Sequence, residues 1–355
     1  MREYTAAAFS DVFPMKLFKN HRSLFFVSLI FLLGVACSGE KKQVSESMEA
    51  PAEAESSLPP PPPPPPPKPD PTKVVAQTVT GLYDPAERTN YAIRRKEITT
   101  ISKAPYIGAI AVDADTGRIL FEDNPEALAI PASMTKMMTL LLVQERIEAG
   151  SLSTNDTVAV SKRAYETGGS QVYLDPKESF PLEDMLYALM IQSANDAAVA
   201  IAEHAAGSCE AMVALMNRRA AELGMANTKF ESVHGLPPEV GKPHDITTPR
   251  DMAVLAVELC KHADIFRYTG TDFRVFRPAK PFEMRTHNPF LQQKIPGCDG
   301  LKTGYTKYAG YSVAETICRD GHRIVIVLMG APDKATRDAA LRQLLAAAET
   351  AAAGG

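Results

Sequence analysis

Apolar and polar positions divide the 355-residue chain into three stretches of different character. Leu24 to Ala36 is a thirteen-residue apolar run, with Ser28 its one polar residue, behind Lys16, Lys19 and Arg22. A run of that length is shorter than the roughly 20 residues needed to cross a bilayer as a helix, so it reads as a secretory signal. Met15 makes the more typical start for such a signal. Residues 38 to about 75 carry Glu40, Glu46, Glu49, Glu53 and Glu55, then nine consecutive prolines from Pro59 to Pro67. A stretch of that kind cannot build a core, and the prolines predict a stiff polyproline II spacer rising about 3.1 Å per residue.

From about Tyr91 the pattern becomes that of a folded domain. Ile107 to Asp113 and Arg118 to Glu122 read as strands around the turn Asp115-Thr116-Gly117. Helical patterns cover Ala132 to Glu148, Leu182 to His204, Ala211 to Leu223 and Arg250 to Lys261. Tyr311 to Cys318 and Arg323 to Met329 flank Asp320-Gly321, a strong hairpin signal, and a last helix spans about Lys334 to Ala348. Strands at both ends with helices between them predict an α/β (α+β) fold, with one antiparallel sheet assembled from both termini beside a helical cluster. The expected organisation is a signal over 1–37, a tether over 38–88, one domain over 89–350 and a short tail over 351–355.

Composition narrows the function. A net charge of −4 gives no basic patch for nucleic acid. Five cysteines are too few for a disulfide-built scaffold. The four that lie in the domain (Cys209, Cys260, Cys298 and Cys318) allow three pairings or free thiols. The seven histidines show no metal-like pair spacing, so neither a metal nor a cofactor is expected, and His234 reads as structural.

The signal ends in Gly34-Val35-Ala36-Cys37-Ser38, small residues before a cysteine, which resembles a bacterial lipoprotein processing site. Gly34 departs from the usual Leu. A lipid on Cys37 would join the protein to a membrane, with each buried methylene contributing about 0.8 kcal/mol. The alternative is a signal cut nearby and an incidental cysteine.

Three short motifs carry the chemistry: Ser133-Met134-Thr135-Lys136, Ser193-Ala194-Asn195 and Lys302-Thr303-Gly304. Taken singly, each is weak. Residues i and i+3 of a helix share a face, which puts Lys136 beside Ser133. The apolar residues around Lys136 predict burial, and burial lowers a lysine's pKa until it can serve as a base. Ser193, Asn195 and Asp196 interrupt an apolar helical stretch and read as an exposed connection facing a cleft, where Asn195 bonds a substrate amide or the lysine. Lys302 and Thr303, following Gly300-Leu301 and preceding a predicted strand, could hold a carboxylate, with Gly304 letting a substrate approach the strand edge.

In combination the trio resembles that of β-lactamases and penicillin-binding proteins. Its flanks resemble the low-molecular-mass D-alanyl-D-alanine carboxypeptidases: Pro131-Ala132-Ser133, Ser193-Ala194-Asn195-Asp196, His234-Gly235-Leu236 and Lys302-Thr303-Gly304-Tyr305-Thr306. The resemblance runs from about Tyr106 to Leu345 and implies a β-lactamase/transpeptidase-like fold. It implies Ser133 as nucleophile, Lys136 as general base and Ser193 as proton shuttle. Asn195, Lys302, Thr303 and Gly304 would bind substrate, and the amides of Ser133 and Tyr305 would form the oxyanion hole. The implied partners are peptidoglycan stem peptides, with β-lactams as inhibitors, on the periplasmic face of a membrane. A DD-endopeptidase shares all three motifs and stays open. A class A β-lactamase fits less well, because no Glu-x-x-Leu-Asn run is present, and a non-catalytic wall-binding protein is the remaining alternative.

Overall fold

The computed structural model describes residues 106–353 apart from Pro278. The expected signal, Cys37 and the proline-rich tether lie outside the described residues, as do the domain boundaries at 37 and 88.

Each turn signal in the sequence closes a strand pair. Strand β1 (Gly108–Asp113) turns into β2 (Ile119–Asp123), with Asp113 Oδ1 accepting the amides of Asp115 and Thr116 and Gly117 at φ 75°. Near the other end, β8 (Gly310–Arg319) and β9 (His322–Ala331) meet at Asp320-Gly321. Both turn residues have positive φ, 50° and 80°, the conformation that gives a two-residue turn the twist of its strands. With β7 (Cys298–Thr306) these form a five-stranded antiparallel sheet in the order β2-β1-β9-β8-β7. The sheet is thus built from both ends of the domain, and β7 is an outer strand.

The sheet is buried on both faces. Ala109, Ala111, Val313, Ile317, Ile326 and Leu328 pack with Leu341, Leu344 and Leu345 of the final helix. Ile110, Val112, Ala314, Val325 and Val327 join the larger core beneath the helical cluster. Period-2 alternation delivers neighbouring residues to opposite faces, which yields three layers from one sheet.

The helical cluster contains α1 (Lys136–Glu148), the short α2 (Lys162–Glu166) and α3 (Leu182–Tyr187), then α4 (Asn195–Ala206), α5 (Cys209–Glu222) and α6 (Pro249–Cys260). Single turns α7 (Phe266–Thr269) and α8 (Pro289–Gln292) follow, and α9 (Lys334–Ala353) covers the far face of the sheet. Local chemistry sets the starts. Ser208 and Thr248 cap α5 and α6 through the amides of Ala211 and Asp251, and Pro249 occupies the first turn of α6.

Two expectations are corrected, and two ribbons are new. The helical stretch over 182–204 breaks where it was expected to, with a π-turn (Ala188–Gln192) after α3 and Ser193 left-handed at φ 60°, but Ser193, Asn195 and Asp196 are buried and not an exposed connection, and the last two already belong to α4. The final helix continues past Ala348 to Ala353 and is no loose tail from 351; Arg118 Nη2 caps its last turn at the carbonyls of Ala351 and Ala352. Two small ribbons, β3 (Thr157–Ala159) with β4 (Ser179–Pro181) and β5 (Phe273–Phe276) with β6 (Phe282–Arg285), were not read from the sequence. Their strands are only three or four residues long, too short for an alternation to register.

Candidate active site

Ser133 lies in a single 3-10 turn (Ala132–Thr135) at the start of α1, and Lys136 opens the α-helix itself. Residues 136–144 of α1 are all buried. A helix apolar on nearly every side must sit inside the protein, and it takes Lys136 in with it, fully buried. Burial, and secondarily the nearby Lys302, hold the Lys136 amine well below its ordinary pKa.

Lys136 Nζ has three neighbours: Ser133 Oγ at 3.1 Å, Asn195 Oδ1 at 2.7 Å and the carbonyl oxygen of His234 at 2.7 Å. The orientation of the Asn195 amide is fixed, because its Nδ2 donates to the Gly168 carbonyl at 2.8 Å. Two of the three neighbours can therefore only accept. A neutral amine has two N–H groups and one lone pair. Both hydrogens go to the carbonyl-type oxygens, and the lone pair is left facing the Ser133 hydroxyl. The set points an amine lone pair at a hydroxyl.

The second lysine is placed differently. Lys302 is buried on β7, with Nζ 2.9 Å from Ser193 Oγ and 3.0 Å from the Thr303 carbonyl. Burial alone pushes its amine down to about 7. Ser193 thus bonds to Lys302, and Asn195, two residues later, bonds to Lys136. The left-handed turn at Ser193 lets neighbouring residues serve the two lysines. It is held by the Ser170 carbonyl accepting the Asn195 amide at 2.7 Å and by Ser170 Oγ donating to the Gln192 carbonyl at 2.6 Å. Asp196 adds support by accepting the amides of Val172 and Leu174.

Hydrogen bonds thus join Ser133, Lys136 and Asn195 in one group and Ser193 and Lys302 in another beside it. Thr303 and Tyr305 follow Lys302 along β7, Thr303 buried and Tyr305 half exposed. The sequence reading needs adjustment in two respects. Lys302-Thr303-Gly304 lies inside a strand and does not precede one. Gly304 has a structural duty: a Cβ there would stand 2.5 Å from the Pro131 carbonyl oxygen and 3.4 Å from the Ala132 side chain. The missing side chain lets the 3-10 turn bearing Ser133 press against β7.

Two contributors were missed. His234 acts through its main-chain carbonyl, while its ring accepts the Leu236 amide at Nδ1 and is driven to a pKa of about 3 mainly by burial. A backbone acceptor leaves no signal in residue identity. Asp245, buried, ties the segment 231–235 to the turn bearing Ser133: it accepts the amides of Glu231 and Ser232, the Ser232 hydroxyl and Thr135 Oγ1. Cys209, Cys260, Cys298 and Cys318 are all free thiols. Among the described residues Glu145, Glu258 and His262 stand close enough to share an ion, but Arg219 and Lys261 already neutralise the two carboxylates.

The three-layer fold and this two-lysine, two-serine site define the class of β-lactamase/transpeptidase-like proteins. Within it, the chain belongs to the peptidase S11 family, described as D-alanyl-D-alanine carboxypeptidase, which matches residues 98–333. It is 37% identical over 239 residues to D-alanyl-D-alanine carboxypeptidase DacF of Bacillus subtilis, covering 67% of this chain and 60% of that protein. It is 32% identical over 260 residues to DacA of Escherichia coli, covering 70% and 62%. Among solved structures, penicillin-binding protein D2 of Listeria monocytogenes in its ampicillin-bound form superposes with a TM-score of 0.62 at 27% identity, over 69% of this chain and 97% of that one. The chain spans about three-fifths of the length of the curated relatives.

Proposed function

We propose that the protein is a serine-type D-Ala-D-Ala carboxypeptidase that removes the terminal D-Ala from peptidoglycan stem peptides through an acyl-enzyme. The observation that carries this reading is the lone pair of Lys136, left facing Ser133 once its two hydrogens are assigned to Asn195 and His234. Ser133 Oγ attacks the peptide carbonyl carbon as its proton passes to Lys136 Nζ. The amides of Ser133 and Tyr305 receive the developing oxyanion; one such donor is typically worth about 3 kcal/mol. Ser193, bonded to Lys302 Nζ, gives its hydroxyl proton to the leaving D-Ala nitrogen and takes in exchange the proton that Lys136 had accepted, and the C–N bond breaks. Water attacks the ester carbonyl, Ser133 Oγ leaves and recovers a proton, and the shortened peptide departs.

Lys302 and Thr303 receive the terminal carboxylate in this scheme. With its amine at about 7, an arriving anion draws Lys302 into its charged form. A β-lactam enters as a mimic of the same peptide and acylates Ser133; the ampicillin bound by the Listeria relative supports this.

The decisive experiment incubates the protein with a wall pentapeptide and with cross-linked wall fragments and reads the products by mass. Release of D-Ala from the pentapeptide, lost in Ser133→Ala, is the expected result. Cleavage confined to the cross-linked fragments would make the protein an endopeptidase, and absence of both cleavage and penicillin labelling would make it a wall binder.

We also propose export to the periplasmic face of a membrane, with a lipid on Cys37 as anchor. Support comes from the apolar run Leu24 to Ala36 and the small residues ahead of the cysteine. Cys37→Ser should leave activity intact and release the protein into the soluble fraction; continued membrane association would refute lipid anchoring.

A further inference from the structure

The backbone from Gly168 to Leu174 forms neither helix nor strand, yet it supports the turn that presents Ser193 and Asn195. The carbonyls of Gly168 and Ser170 accept the Asn195 side chain and amide, and Ser170 Oγ donates to the Gln192 carbonyl. Further along, the fully buried Asp196 accepts the amides of Val172 at 3.2 Å and Leu174 at 3.1 Å. An irregular segment must find partners for its polar groups outside itself.

Two of its carbonyls go to one distant side chain. Arg277 Nη2 donates to the Val172 carbonyl, 105 positions away, at 2.6 Å and also to the Tyr173 carbonyl. The peptide unit joining Tyr173 to Leu174 therefore has its oxygen on a guanidinium and its N–H on a carboxylate. Hydrogen bonds to charged groups are the strong ones, and in a buried chain each bond polarises the next. Tyr173 itself stands at φ 56°. That left-handed conformation is costly for an aromatic residue and persists only where the surroundings impose it.

Arg277 is firmly placed for this task. It follows β5 with its side chain only 12% exposed and its Nε 3.3 Å from Glu178 Oε1. Its guanidinium carbon lies 5.1 Å from the ring centre of Phe276 on β5 and 5.7 Å from that of Phe180 on β4.

We propose that Arg277 is a positioning residue for the reaction: by gripping the Val172 and Tyr173 carbonyls it holds the strained segment on Asp196, and so keeps Ser193 and Asn195 in register with the two lysines. This role rests on the peptidase reading and deepens it. Strand β7, which brings Lys302 and Thr303 to the carboxylate, is held by its own pairing with β8. The grip therefore bears on the proton-transfer steps more than on binding.

The test is rapid-quench acylation of the full chain by a fluorescent penicillin. It separates the first-order rate at saturation from the penicillin concentration that gives half that rate. The first-order rate belongs to the folded molecules alone, so partial unfolding leaves it unchanged. Arg277→Met keeps an apolar stem against the two rings and removes the donor. It should acylate about tenfold more slowly with the half-saturating concentration within about twofold of the wild type, since small misplacements of reacting groups are costly. Arg277→Gln, too short to reach, gives the same reading if the methionine variant does not fold. Arg277→Lys, whose ammonium can still donate to both carbonyls, should stay within about threefold of the wild-type rate. Glu178→Gln, which weakens the ion pair and leaves the grip, should match the wild type. A wild-type rate without the guanidinium, equal losses in the methionine and lysine variants, or a change confined to the half-saturating concentration would overturn the assignment; D-Ala release by the wild type would then leave the peptidase reading in place. Absence of both labelling and D-Ala release in the wild type would remove that reading and this assignment with it.

Discussion

Glu315 offers a quantitative test of how the sheet is packed. It sits on β8, fully buried, with Asn288 Nδ2 donating to its Oε2 at 2.7 Å and the Cys298 thiol 3.5 Å away. Its other oxygen, Oε1, has no hydrogen-bond partner. Burial raises its pKa from 4.5 to about 8, so the native protein holds a proton there at neutral pH and the unfolded chain does not. Stability changes with pH as the protons bound by the unfolded state minus those bound by the native state. Between 4.5 and about 8 that difference is minus one for Glu315. Its contribution to stability is complete below the unfolded pKa and falls by about 1.4 kcal/mol for each pH unit above it.

Glu315→Gln keeps the shape and the oxygen that accepts from Asn288, and it removes the titration. His234 and His287, both depressed mainly by burial, to about 3 and about 4, add stability as pH rises toward their unfolded value and partly hide the effect in the wild type. They cancel in the comparison with the variant. Urea unfolding of wild type and variant, each at pH 5 and pH 7, should show the variant gaining roughly 3 kcal/mol on the wild type across that interval. For a urea dependence of about 3 kcal/mol per molar, the relative midpoint moves by about 1 M. Parallel pH profiles would show that Glu315 is ionised in the native protein and that the burial argument is wrong.

Several further outcomes test the site. Lys302 has the opposite linkage. Its depressed amine sheds a proton above about 7, and kcat/KM for a carboxylate-ended peptide should fall as pH rises through that value; a flat profile to pH 9 would refute the role given to its charge. Gly304→Ala pushes a Cβ to 2.5 Å from the Pro131 carbonyl and should slow penicillin acylation about tenfold or more, read by gel fluorescence, since small misplacements of reacting groups are costly. Asp245→Ala removes the acceptor of two backbone amides and two hydroxyls and should cost about 2–4 kcal/mol in thermal or urea unfolding; a loss below 1 kcal/mol would show that the segment 231–235 does not depend on it. Arg118→Ala uncaps the end of α9 and should speed amide hydrogen exchange in residues 349–353 without altering acylation.

The sequence alone determined the local features. Asp115-Thr116-Gly117 and Asp320-Gly321 closed their turns, because the backbone angles a turn demands are a property of the residues in it. Ser133 and Lys136 could be paired in advance because three residues of helix fix their separation, and the apolar residues around Lys136 foretold its burial. Tertiary structure decided what depends on residues distant in sequence. Only the packed fold sets Lys302 beside Ser193, 109 positions away, and Lys136 against the carbonyl of His234, 98 positions away. Only the fold reveals that Gly304 makes room for the turn carrying Ser133. A backbone carbonyl is the same atom in every residue, and a gap exists only where two surfaces meet. Neither is written in side-chain identity.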